Sequence, residues 1–372
     1  MVINTRTPHS DAKTKEKKMT GLYIGSTTGY AGKNMIALAL GMKFQKDGLN
    51  VGYMKPVGAV PGKIDGKIGD EDAFFIQDIM GLNEDPELVT PVVITHDFKI
   101  GALAGKCDSP LPKIKKAYAT LSKDKDIMIL GGSGSFLHSG KYCGVDGPTL
   151  VKELGLKTIL VDRYSKDLNY DYLMYAKEEI GDSLLGVIFN DVPAHVLSEV
   201  NDVIAPFLEN NGIKVLGIIP PDPIMKSITI EDLSDRLGGK IISVSSHANR
   251  IVTDFLIGTM QVENFMTHFK KHPTAAIIVG GDRSDVQLVA LEGGAPCLVL
   301  TGNLYPNDII LSRSEILGVP VIIVREDTYS VAKKMEEIQK SHKLRDMVKV
   351  NQATQIINAN IDFPYIRTRV NR

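Results

Sequence analysis

The stretch LYIGSTTGYAGKNMIALAL, Leu22 to Leu40, decides the fold. Leu22-Tyr23-Ile24 is a short apolar run of the kind that forms a buried strand, and it ends in glycine. Asn34 to Lys46 carries Met35, Leu38, Ala39 and Met42 at helical spacing, and Asp47-Gly48 stops it. Between them lies GSTTGYAGKN, Gly25 to Asn34. A glycine-rich turn from strand to helix N-terminus presents backbone N–H groups and a favourable helix dipole to an anion. Gly25, Thr28, Gly29, Gly32, Lys33 and Asn34 are the candidate nucleotide-binding residues, with Lys33 reaching toward the phosphates. The strict phosphate-loop pattern GxxxxGK[ST] is broken twice. Thr27 stands where its first glycine belongs, and Asn34 replaces the hydroxyl that would hold Mg²⁺. The alternative is a glycine turn that only packs helix on sheet.

Outward from this unit the same alternation continues. Val51–Met54, Asp126–Leu130, Lys157–Val161, Leu184–Phe189 and Lys214–Ile219 read as strands. Asp70–Met80, with Phe74, Phe75 and Ile79 inward, Leu168–Ile180 and Ala194–Asn210 read as helices. Strands alternating with helices predict a parallel sheet. Pro220-Pro221-Asp222-Pro223 breaks the pattern and marks a boundary. A smaller α/β unit follows, with strands Ile277–Val279, Cys297–Leu300 and Val321–Val324 and helices Asp285–Leu291, Asp308–Leu317 and Ser330–Gln339. The expected organisation is a flexible tail over 1–20, a parallel-sheet P-loop NTPase-like domain over 21–222, a smaller α/β domain over 223–335, and a C-terminal helix and tail over 336–372.

Composition narrows the function classes. The 372 residues hold 43 Lys+Arg against 44 Asp+Glu, a net charge of −1, which argues against a general nucleic-acid binder. No apolar stretch approaches the length of a membrane span, and the first 18 residues, five basic and two acidic, lack the apolar core of a signal peptide. Cys107, Cys143 and Cys297 lie far apart without CxxC spacing, as expected of reduced thiols in a cytoplasmic protein. Six of the 34 glycines fall between Gly131 and Gly147, directly after the Asp126–Leu130 strand. That is the strand end where open parallel sheets bind ligands, so Ser133, Ser135 and nearby amides are candidates for an anion, with a plain surface loop or lid as the alternative. His138 and Cys143 are too isolated to suggest a metal.

Taken in order, the loop, YMKPV (Tyr53–Val57), GDEDAFF (Gly69–Phe75), LGGSGS (Leu130–Ser135) and IFN (Ile188–Asn190) resemble dethiobiotin synthetase and its relatives, including the cobyrinic acid amidating enzymes, over roughly 21–223. The resemblance implies ATP as cofactor with Mg²⁺, Lys33 and Lys55 as the catalytic lysines, Asp72 as a metal-linked aspartate and Asn190 near the nucleobase. It also implies a glutamate where this chain has Gly131. Two of three metal contacts are therefore missing or altered, and fast phosphoryl transfer needs the metal to neutralise developing charge. Binding with doubtful chemistry is the expectation.

In the second domain GGDRSD (Gly280–Asp285), LTGN (Leu300–Asn303) and REDTYS (Arg325–Ser330) each follow a strand. Asp282, Arg283, Ser284, Asp285, Thr301 and Thr328 are read as a shared ligand pocket or, equally, as ordinary helix caps. With Ser227–Ile242, which contains Asp235-Arg236-Leu237-Gly238-Gly239, they resemble the DRTGG domain. The pair of domains resembles the N-terminal, regulatory half of long phosphotransacetylases, and a chain of this length leaves no room for their acyl-transfer domain. The leading expectation is a cytoplasmic, AAA-family, nucleotide- or metabolite-binding regulatory protein, acting on a partner enzyme or as a homo-oligomer, without nucleic acid or membrane. The alternative is an ATP-dependent ligase or carboxylase.

Overall fold

The computed structural model describes residues 19–64, 66–106, 108–340 and 347–370. The N-terminal 18 residues and Cys107 lie outside them. The first domain is built on a six-stranded sheet of β1 (Thr20–Ser26), β2 (Val51–Met54), β5 (Ile127–Gly131), β6 (Lys157–Arg163), β7 (Leu184–Asn190) and β8 (Val215–Ile218). An antiparallel hairpin, β3 (Pro61–Ile64) with β4 (Lys67–Asp70), stands apart from it. The order β8-β7-β6-β1-β5-β2 is parallel throughout, so every strand delivers its carboxyl end to one edge.

Side-chain alternation, with its period of two, feeds two cores. Leu22, Ile24, Ile127, Ile129, Ile159 and Val161 point to one face; Tyr23, Met128, Leu130 and Leu160 point to the other. The second face is covered by α3 (Leu111–Leu121), α4 (Gly147–Leu154), α5 (Asp171–Ile180) and the helical stretch 194–210. The first is covered by α1 (Lys33–Lys46) and α2 (Glu71–Ile79). In α2 it is Ala73, Ile76 and Gln77 that bury fully. Phe74, Phe75 and Ile79, expected inward from spacing, are only half-buried. Phe74 instead lies across the hairpin, where a Cβ on Gly69 would sit 2.4 Å from its ring.

The second domain carries a five-stranded sheet of β9 (Lys240–Ser243), β10 (Asp254–Ile257), β11 (Ala275–Gly280), β12 (Leu298–Thr301) and β13 (Val321–Ile323), in the order β9-β13-β12-β11-β10. Only β9 runs antiparallel. Its helices are α6 (Ile230–Leu237), α7 (Val262–Phe269), α8 (Ser284–Glu292), α9 (Asp308–Leu317) and α10 (Thr328–Lys340). The edge strands β9 and β10 are the ones that spacing did not reveal.

The C-terminal segment, expected to be a helix and tail, returns to the first domain as two helices, α11 (Met347–Asn360) and α12 (Phe363–Val370). Val350, Ala353, Ile357, Phe363 and Ile366 join the core, with α11 against α1 and α12 against β1 and β8. The turn between them hydrogen-bonds along β8, with Asp362 N donating to the Leu216 carbonyl at 2.7 Å, which blunts an edge strand. Ile357 is fully buried there, so Ile357→Ala is expected to cost about 2–5 kcal/mol of first-domain stability by leaving a cavity. Denaturant unfolding followed by first-domain probes reads this; an unchanged midpoint would mean that the helices are dispensable.

Candidate functional site

The carboxyl edge of the first sheet holds a cleft of about 270 Å³ that runs from the end of β2 to the end of β8. At its midpoint is the glycine loop. Gly32 caps α1 in a left-handed conformation, φ 105°, and a Cβ there would lie 2.4 Å from the Asn190 amide nitrogen. Only glycine fits, on both counts. The Asn190 amide donates to the Ala31 carbonyl at 2.9 Å and so latches the loop to the end of β7. At the loop's base the Thr27 hydroxyl donates to Asp162, whose carboxyl burial pushes up to about 6 despite that bond. The neighbouring glycine loop is locked by Phe136, which is packed between Gly25 and Gly147 and donates its N–H to the Ser26 carbonyl at 2.8 Å.

The electrostatic frame comes from β2 and the start of α2. Lys55 is buried, with its ammonium 2.7 Å from Asp70 and 3.1 Å from Asp72. Asp70 is the N-cap of α2 and accepts from the amides of Asp72 and Ala73, while its second oxygen accepts from Ala59 and Val60, both at 2.9 Å. Asp72 also accepts from the Asn34 amide at 2.9 Å, leaving the buried Asn34 carbonyl oxygen without a hydrogen-bond partner. Lys33, the first residue of α1, is also buried, but makes no ion pair or hydrogen bond with a described side chain. Burial, reinforced by the Lys55 charge and opposed by Asp72 and Asp70, lowers its ammonium to about 8. Gly131 is crowded too: a Cβ would stand 2.6 Å from the buried Tyr53 hydroxyl, so the place expected of a glutamate is filled by a ring from β2.

Of the residues singled out in the sequence, Gly29, Gly32, Lys33, Asn34, Lys55, Asp72, Ser133 and Asn190 line the cleft together. Gly25 and Thr28 do not: Gly25 sits inside β1, where a Cβ would be 2.9 Å from both Leu160 and Phe136, and Thr28 is exposed on the loop's outer side. Ser135 turns away to hydrogen-bond Tyr172 at 2.8 Å, and His138 packs edge-on against the same tyrosine. Arg163, Asp191, Asp222 and Lys349 are cleft residues that spacing missed. Arg163 is ion-paired with Asp191, which follows Asn190 in a left-handed conformation. Lys349 comes from α11, and no local motif flags it.

In the second domain Asp282, Arg283, Ser284, Asp285, Thr301 and Thr328 gather at the carboxyl edge of its sheet, apart from the cleft. Arg283 chelates Asp285 through two 2.9 Å bonds and reaches the Met260 carbonyl. The Thr301 and Thr328 hydroxyls pair at 2.7 Å, while Asn307 and Asp327 accept from helix-start amides as caps. The Cys143 thiol donates to the Gly140 carbonyl at 3.3 Å, and burial pushes the Cys297 thiol up to about 12. Among the described residues no cluster of three or more His, Cys, Asp or Glu could hold a metal, and no helix is long and apolar enough to cross a membrane.

This fold and loop define a P-loop α/β protein. The chain belongs to the AAA domain family, whose profile matches residues 20–229, and the DRTGG domain profile matches residues 232–338. It is 24% identical to a phosphate acetyltransferase of Pseudomonas aeruginosa, covering 94% of this chain and 52% of that protein. It is 28% identical to an ATP-dependent dethiobiotin synthetase of Methanocaldococcus jannaschii, covering 53% of this chain and 92% of that protein. Among solved structures, the CBS and DRTGG domains of the regulatory region of Clostridium perfringens pyrophosphatase are similar at a TM-score of 0.27 and 14% identity, covering 38% of this chain and 70% of that one. The chain spans about half the length of the phosphate acetyltransferase it matches.

The Lys33 ammonium makes no direct ion pair among the described side chains and feels both Lys55 and the two carboxylates, so its titration checks the electrostatic frame. Because its pKa in the fold lies below the unfolded value of 10.5, the folded chain holds fewer protons between about pH 8 and 10.5. Stability from this group therefore rises with pH across that window. NMR titration of the Lys33 side chain is expected to show a midpoint near 8; a midpoint above 10 contradicts it.

Proposed function

We propose that the chain is a nucleotide-binding regulatory protein. The observation that carries this is the buried Lys33 ammonium at the helix N-terminus, with no direct ion pair among the described side chains and beside a glycine loop that Asn190 latches to β7. A nucleoside triphosphate, ATP being the class expected of an AAA domain, supplies a direct anionic partner: its phosphates take the loop amides and Lys33. Lys55 serves differently, since both carboxylates beside it already meet its charge. A divalent cation bound with the nucleotide would neutralise phosphate charge, and Asp72 and the unpartnered Asn34 carbonyl oxygen are the donors this chain offers it. With one carboxylate available and Tyr53 filling the space beside Gly131, slow turnover is the consistent outcome. The second domain then passes the bound state to a partner enzyme or a second copy. A soluble cytoplasmic setting suits this role.

A second reading, an ATP-dependent ligase or carboxylase, is favoured by Ser133 and Lys55 lying together at the β2 side of the cleft and by the dethiobiotin synthetase similarity. Calorimetric titration with ATP, ADP and GTP, with and without Mg²⁺, together with a phosphate-release assay, separates the two. The expected result is saturable nucleotide binding with negligible release, weakened about tenfold or more by Lys33→Ala, equivalent to about 1.4 kcal/mol. Release stimulated by one added carboxylic acid or amine substrate favours the ligase. Absence of binding by the unmodified chain overturns both.

A further inference from the structure

The second domain is placed in sequence between β8, the last strand of the first sheet, and α11–α12, which complete the first domain's core. Described residues on both sides of it line the cleft. On the way out, Ile219, Pro220, Asp222 and Met225 line the β8 end; on the way back, α11 presents Lys349, Ala353 and Ile356 to the same end. The two connections are tied to one another there. The buried Lys349 ammonium donates to the Ser227 carbonyl, and the Gln352 amide donates to Asp222 at 2.8 Å. Asp222 uses its other oxygen to accept from Ile224 and Met225, at 2.8 and 3.2 Å. Two residues past Ser227, the Thr229 hydroxyl caps α6. Two hydrogen bonds thus tie the cleft wall to the connection, and two residues of backbone separate Ser227 from the cap of the second domain's first helix.

The two ends of the cleft differ in chemistry. From the loop toward β2 lie the ion-paired Lys55 and Asp72 with Ser133, beside the apolar Ala59, Val60 and Phe75; toward β8 lie Ile219, Met225, Ala353 and Ile356, beside Asp222 and Lys349. With its phosphates fixed at the loop, a nucleotide that extends away from the Lys55–Asp72 ion pair meets the aliphatic surface of Ile219, Ala353 and Ile356, on which a planar base can pack.

We propose that α11 is a ligand-contacting wall that reports occupancy of the cleft to the second domain. The heteroaromatic base packs on Ala353 and Ile356, and the Lys349–Ser227 and Gln352–Asp222 bonds carry the resulting ordering to the start of α6. This rests on the nucleotide-binding reading and deepens it by naming the connection that is regulated. A ligand shifts such an equilibrium only through contacts it makes unequally in the two states, and α11 supplies such contacts.

Hydrogen–deuterium exchange on the full chain, with ATP and Mg²⁺ as the probe, tests it. ATP is expected to slow exchange in three places: the loop and first turn at 25–36, the connection and α6 at 219–237, and α11 at 347–360. In Gln352→Ala and in Gln352→Leu, slowing at 25–36 persists while slowing at 228–237 is lost. Both remove one half-buried bond outside the cleft lining and leave the apolar wall intact, and the leucine keeps the side-chain volume should the alanine variant not fold. Slowing at 25–36 in the unmodified chain without change at 228–237 and 347–360 overturns the proposal. So does an undiminished response at 228–237 in the folded variants. No slowing even at 25–36 overturns the nucleotide reading itself, and this inference with it.

Discussion

The geometry of the cleft depends on how one buried charge is met. Lys55 leaves β2 with its ammonium only 3% exposed, and an ion in that position is tolerated only when paired and hydrogen-bonded. Asp70 pairs with it and accepts four backbone amides, two from the chain before the hairpin and two from the first turn of α2. One carboxylate therefore fixes the end of β2, the return of the hairpin and the start of a helix. Removing either partner would strand the other in the interior at a cost of about 3–5 kcal/mol. The same arrangement sets Asp72 against Asn34 and leaves Lys33 without a direct ion pair among the described side chains.

The central unit was legible because its signals are local. Leu22-Tyr23-Ile24 alternates between two cores, and α1 begins where the glycine loop ends. The long-range neighbours were not legible. Nothing near Gly131 says that Tyr53 fills the space beside it, because that contact depends on β2 pairing with β5. Asn190 shows the same limit. It lines the cleft as the resemblance implies, and its amide also donates to the Ala31 carbonyl, a contact between distant residues that no local pattern predicts. In α2 Phe75 and Ile79 pack against the core as their spacing suggests, while Phe74 covers the hairpin, a partner that α2's own periodicity does not show.

The C-terminal helices show why sequence distance hides function. Val350, Ala353 and Ile357 have helical spacing, yet their partners are α1 and the strands of a sheet that closes more than a hundred residues earlier. Without them the sheet face over β7 and β8 would expose Ile188 and Leu216. The need to bury that face brings α11 to the cleft, and with it Lys349. Ligand site and interdomain connection therefore share one wall for a packing reason.

Photolabelling with 8-azidoadenosine triphosphate, followed by peptide mapping, tests the central claim most directly. The account predicts label on peptides spanning 219–225 and 349–356, competed by ATP and lost in Lys33→Ala. Label confined to the second domain, or unaffected by that substitution, would contradict it.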